Sequence, residues 1–112
     1  MNNSDQRAWP SDVDGDVFRR LDANEFDFSK EVDIDFNVDF DTWPPSPELM
    51  NVLETRFSNV EVYVPDPSGD GYVQITLRAL LTYGFVMSTQ ASLTALAAPY
   101  GGICESWGVL QD

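Results

Sequence analysis

The chain has no histidine, one cysteine and only six lysine and arginine residues among its 112. Each shortage removes a class of chemistry. A lone Cys104 excludes an intramolecular disulfide. Without histidine or a second cysteine, the nitrogen and sulfur donors that zinc, copper and iron–sulfur centres ordinarily use are all but missing. No serine or cysteine has a histidine to activate it, so the nucleophile–base pairing of acyl-transfer enzymes is missing. No glycine-rich phosphate loop is present either. The longest mostly apolar run, Leu77 to Met87, is interrupted by Arg78, Thr82 and Gly84 and is too short to span a bilayer. The opening "MNNSDQRAWP" has no basic stretch leading into an apolar one, so it does not read as a signal peptide. A cytoplasmic protein is expected.

What the chain has in excess is negative charge. Nineteen acidic residues give a formal net charge of −13, and Arg56 and Arg78 are the only bases after residue 42. Such a surface repels nucleic-acid phosphates and anionic membranes and attracts basic proteins, while also serving solubility. The hydrophobic share of 43% is ordinary for a globular protein, with enough aromatics for a core. The length suits one domain. We expect a flexible tail over residues 1–10 and a domain over 11–112.

The most ordered pattern is "KEVDIDFNVDFD", Lys30 to Asp41. Val32, Ile34, Phe36, Val38 and Phe40 share one parity; Glu31, Asp33, Asp35, Asn37 and Asp39 share the other. Period two is the mark of a half-buried strand. Before it, Ser11 or Asp12 can cap a short helix running to about Ala23, with Asn24 stopping it in a left-handed conformation. After it, Ser46 and Pro47 open a helix of about 47–57. "NVEVYVPD" predicts a strand with Val60, Val62 and Val64 inward. "DPSGDG" predicts a turn, and "YVQITLRAL" a strand with Val73, Ile75, Leu77 and Ala79 inward. A helix is expected from about Ser88 to Ala98, ended by Pro99, then a glycine turn and a final strand in "ICESWGVL". A leading helix followed by β-α-β-β-α-β predicts an α+β, ferredoxin-like sandwich: a four-stranded antiparallel sheet with helices on one face only.

The acidic runs fail as calcium loops. Asp33, Asp35 and Asn37 have the first three ligand positions, but Val38 and Pro44 stand where Gly and a bidentate carboxylate are needed. Asp66, Ser68, Asp70 and Gly71 fit better, yet Leu77 takes the twelfth position, and a hairpin turn explains the same letters. Asp33 and Asp35 project side by side, roughly 7 Å apart by strand rise, but on a flat face rather than across a cleft. Neither an enzyme nor a cofactor is expected. RNA-recognition sheets pair aromatics with basic residues; this face is acidic, so direct nucleic-acid binding is not expected. By alternation the open face carries Asp33, Asp35 and Asp39 with Glu61, Tyr63, Tyr72, Gln74, Thr76 and Arg78, and Glu105 and Trp107 from the last strand. Acids interleaved with aromatics suit an Arg- or Lys-rich segment of a protein partner.

"NEFDFSKEVDIDFNVDF" and "LTALAAPYGGICESWGVL" resemble the RraB family, regulators of ribonuclease E activity. The anchors are Ser29-Lys30 before the first strand and Trp107 after Gly101-Gly102, in a likeness spanning about residues 12 to 111. The Pro-Arg that often follows Ser-Lys in that family is absent, and Glu105-Ser106 replaces its Asp-Gly before Trp. The resemblance implies a ferredoxin-like adaptor without enzyme activity that binds ribonuclease E, or another component of RNA degradation, through a basic segment. An immunity- or antitoxin-like acidic inhibitor, or a small carboxylate- or metal-dependent hydrolase, are the alternatives that composition leaves open, as it does the oligomeric state.

Overall fold

In a computed structural model, residues 9–64 and 71–109 are described. The alternating stretch is β1, Glu31–Phe40, and it builds the core: Ile34, Phe36 and Val38 are fully buried while the intervening acids face outward. It sits at the centre of the sheet, paired with β3 (Tyr72–Leu80) on one side and β4 (Gly102–Val109) on the other. The short β2, Val60–Tyr63, flanks β3. The order β2-β3-β1-β4, antiparallel throughout, gives an α+β fold with an open four-stranded sheet, consistent with the ferredoxin-like pattern.

Three helices cover one face. Helix α1, Val13–Ala23, is capped by Asp12, which accepts from the Gly15 N–H at 2.6 Å. It buries Phe18 and Leu21. Phe18 lies at the middle of an aromatic cluster, with ring centroids 5.4 Å from Trp9, 6.1 Å from both Phe28 and Tyr83, and 5.4 Å from Trp107. Helix α2, Pro47–Arg56, starts as the sequence predicts, on Ser46 and Pro47, and buries Leu49 and Leu53. Helix α3, Tyr83–Ala97, buries Val86, Leu93 and Ala97 and runs into a 3-10 turn at Ala98–Tyr100. All these side chains join one core with Val73 and Ile75 of β3. No described helix is long and apolar enough to cross a membrane.

The departures from expectation are local. Helix α3 starts at Tyr83 rather than Ser88, because Thr82 caps it: its Oγ1 accepts from the Phe85 N–H at 3.0 Å. The left-handed residue after α1 is Glu25, not Asn24, whose amide instead reaches back to the Arg20 carbonyl at 3.0 Å. Strand β2 ends at Tyr63. Val60 packs on the core, but Val62 lies on the sheet edge and stays exposed, and Val64 is outside the strand. Of the tail expected over residues 1–10, Trp9 packs on Phe18 and Phe28, while residues 1–8, Asp66–Asp70 of the turn and Leu110 lie outside the described residues.

Candidate functional site: the open face of the sheet

Because side chains alternate across a strand, the face opposite the helices is set by register. Between β1 and β3 the cross-strand partners on this face are Asp33 with Arg78, Asp35 with Thr76, Asn37 with Gln74, and Asp39 with Tyr72. Three of these rungs are closed by hydrogen bonds. Arg78 Nη1 donates to Asp33 Oδ1 at 3.2 Å, Thr76 Oγ1 to Asp35 Oδ1 at 2.7 Å, and Gln74 Nε2 to Asn37 Oδ1 at 3.1 Å. Asn37 continues the row by donating to Ser106 Oγ at 3.2 Å on β4. The carboxylates therefore stand in line on a side-chain ladder, with Asp33 and Asp39 exposed and Asp35 half-buried among its neighbours.

On the β2 side, Tyr63 stacks on its cross-strand partner Tyr72, with centroids 4.7 Å apart and planes 12° from parallel. The Tyr63 hydroxyl donates to Glu61 at 3.3 Å. The negative charge of Glu61, with burial behind it and Asp35 adding, holds the phenol above its ordinary pKa. Where β2 begins, Asp33, Glu61 and Thr76 line a shallow depression of about 320 Å³ with Ser58 and Asn59. The face is thus an acidic, aromatic-edged platform. Its single base, Arg78, is tied to Asp33.

Five of the seven residues expected at this site lie together here: Asp33, Asp35, Asp39, Tyr63 and Tyr72. The two from β4 do not. Trp107 sits opposite Phe36 on the covered face, against Phe18, with its indole N–H donated to Asp14 at 2.7 Å. Glu105 is an extra residue: Asn37 pairs with Ser106 and Val38 with Cys104, so Glu105 has no partner across the register. It lies at the sheet edge, beside α3. One inserted residue reverses the parity of everything after it, which brings Ser106 onto the open face and turns Trp107 into the core. The sequence holds the signal. "CESW" places two polar residues between two apolar ones, a break in strict alternation.

Among the described residues, no three Cys, Asp or Glu side chains gather as they would around a metal ion. The acids form a row instead. The family model for regulator of ribonuclease activity B matches residues 11–109. The chain belongs to this family. The membership agrees with the likeness carried by Ser29-Lys30 and by Trp107 after the double glycine, and it places the chain among proteins described as regulators of ribonuclease activity. No curated protein and no solved structure matches the chain. Seen in RraB terms, Trp107 is part of the scaffold, a core anchor rather than a surface contact.

Proposed function

We propose that this RraB-family chain is a non-catalytic regulator that acts by protein contact, docking a basic segment of a ribonuclease partner on the open sheet face. Ribonuclease E, or another component of the RNA-degrading machinery in the cytoplasm, is the partner this reading names. The observation that carries it is the row of Asp33, Asp35 and Asp39, interrupted only by Asn37, beside the Tyr63–Tyr72 stack, on a face that the three helices leave bare. In a chain of net charge −13, arginine or lysine side chains are drawn to that row. A guanidinium also lies well on a tyrosine ring. Such complementarity raises the encounter rate and selects against acidic partners.

The test is charge reversal. Asp33→Lys and Asp35→Lys together should lower capture of the basic segment by at least about tenfold, with an unchanged far-ultraviolet circular dichroism spectrum. If the double variant is folded and retrieves the ribonuclease as well as the wild type does, the docking face is wrong.

A further inference from the structure

Helix α3 is uncharged along its full 15 residues, without one aspartate, glutamate, lysine or arginine. In a chain of net charge −13 that is a marked exception. A surface helix normally turns charged or polar residues outward, opposite its buried stripe, and α3 does so only with uncharged residues such as Ser88 and Ser92. Met87, Ala91 and Ala95 of α3 are exposed as well. They line a groove of about 580 Å³ between α3 and β4, floored by Gln90 and closed by Ile103, itself 42% exposed. Glu105 at the rim is its one charged residue.

A second, independent feature lies in the same groove. Gln90 is only 8% exposed, and among the described residues its side-chain Nε2 has no hydrogen-bond partner. Buried amides are nearly always paired. An amide left unpaired beneath an uncovered apolar groove marks a surface that is completed by something else.

We propose that the occupant is a second copy of this chain, packed α3 against α3 about a two-fold axis. Charge selects it. A basic partner gains nothing from an uncharged helix when the acidic face lies open elsewhere. Two copies repel each other over most of their surface, and α3 is where they can meet with Glu105 at the rim as the groove's one carboxylate. The Gln90 amide carries both a donor and an acceptor, and its Nε2 is sealed in the free chain; turned outward into the groove on association, it is complementary to itself across a two-fold axis, as isologous contacts require. Sheet extension along β4 beside the groove is hindered. The Cys104 N–H is already held by Thr94 Oγ1 at 3.0 Å, which closes that point of the β4 edge to another strand. At 1.5 Å per residue α3 is about 22 Å long, short for an interface of the usual size, so the dimer is weak.

Sedimentation velocity on the full chain, from about 5 to about 500 µM, reads this out. The mass should rise from 12.5 kDa toward twice that value, and more readily at high salt, where like-charge repulsion is screened. Ala91→Glu, at an exposed position, should hold the chain monomeric, while Val13→Glu on α1 should leave association unchanged. Gln90→Met, which removes the amide but keeps the volume, should weaken association. A wild type that stays monomeric at the highest concentration and salt overturns the proposal, as does an Ala91→Glu variant that dimerises normally. Loss of ribonuclease capture by Ala91→Glu from a monomeric wild type would assign the groove to the partner instead, and equally overturn it.

Discussion

The Trp107 indole N–H donates to Asp14 Oδ1 at 2.7 Å, joining the last strand to the first turn of the first helix across 93 residues of sequence. The bond does two things. It satisfies the one polar atom of a half-buried tryptophan that packs on Phe18. It also places a carboxylate near the positive end of the α1 dipole.

Removing that acceptor leaves a half-buried N–H without its partner. Asp14→Ala should lower unfolding free energy by about 1–2 kcal/mol, and Asp14→Asn, which keeps an acceptor oxygen, by clearly less. Urea titration followed by tryptophan fluorescence would show a lower midpoint with an unchanged slope. Equal losses in the two variants would mean that charge at the helix terminus, not the indole bond, is what matters.

A neighbouring contact makes α1 sensitive to acid. The Tyr83 hydroxyl donates to Asp12 Oδ2 at 2.6 Å, and with the Gly15 N–H and the Arg19 charge it holds the Asp12 carboxyl below its ordinary value of 3.8. A depressed folded pKa stabilises fully above the ordinary value and is lost as pH falls through the folded one. The same bond raises the Tyr83 phenol above 10.0, a contribution present below that pH and lost as pH rises through the raised value. The stability gap between wild type and Asp12→Ala should therefore be flat from about pH 5 to 9 and close below about pH 4. Urea midpoints at several pH values check it. A gap that persists undiminished in strong acid would sink this account.

Much of this architecture is legible in the sequence, and the exceptions have physical causes. Five apolar residues at period two could only be a one-sided strand, and Ser46-Pro47 marked α2 because both favour a helix start. The register of β1 with β3 then follows from matching inward faces, which put Asp33, Asp35, Asp39, Tyr63 and Tyr72 together. What failed was whatever depended on a single residue of offset. The bulge at Glu105 moved Trp107 from the open face to the core. Gly84, a poor helix former, disguised the first turn of α3, where the Thr82 cap outweighs it. The unpartnered amide of Gln90 had no sequence signature, since a glutamine on a helix is ordinarily solvated.

Arg78 offers a test of the docking face that runs opposite to charge reversal. It is the one base on the platform, its guanidinium lies 3.2 Å from Asp33, and both side chains are 63% exposed. Exposed pairs contribute little to stability, so Arg78→Gln should shift unfolding by no more than about 0.5 kcal/mol. It frees Asp33 for an incoming cation. Binding of an arginine-rich peptide, read by fluorescence anisotropy, should tighten by about two- to fivefold and fall more steeply with salt. Weaker binding would mean that Arg78 itself contacts the partner.

Two glycines should respond to alanine in opposite ways. Gly101 has φ of 79°, and a Cβ there would collide with the carboxylate of Asp41, a residue whose backbone N–H donates to the Gly101 carbonyl at 3.0 Å. Gly101→Ala should cost about 1–2 kcal/mol. Gly84, in the first turn of α3, has nothing within 4 Å of where an added methyl would sit. Gly84→Ala should stabilise by up to about 1 kcal/mol, chiefly by restricting the unfolded chain. Thermal melts of the two variants would show shifts of opposite sign. A neutral Gly101→Ala would mean that the turn relaxes without cost.

Cys104 is the chain's one thiol, and its surroundings suppress its reactivity. It is 5% exposed, and burial, helped by the Asp39 charge, pushes its thiol up to about 12. At pH 8 the thiolate fraction is then on the order of 10⁻⁴, and the thiolate is the reactive form. Labelling by a disulfide reagent in the native state should be at least about 100-fold slower than in denaturant, where the thiol returns to its ordinary value. Because Cys104 lines the α3–β4 groove, self-association should slow native labelling further as protein concentration rises. Prompt labelling of the folded chain would place the thiol in solvent, and with it would go the packed β4 register that turns Trp107 inward.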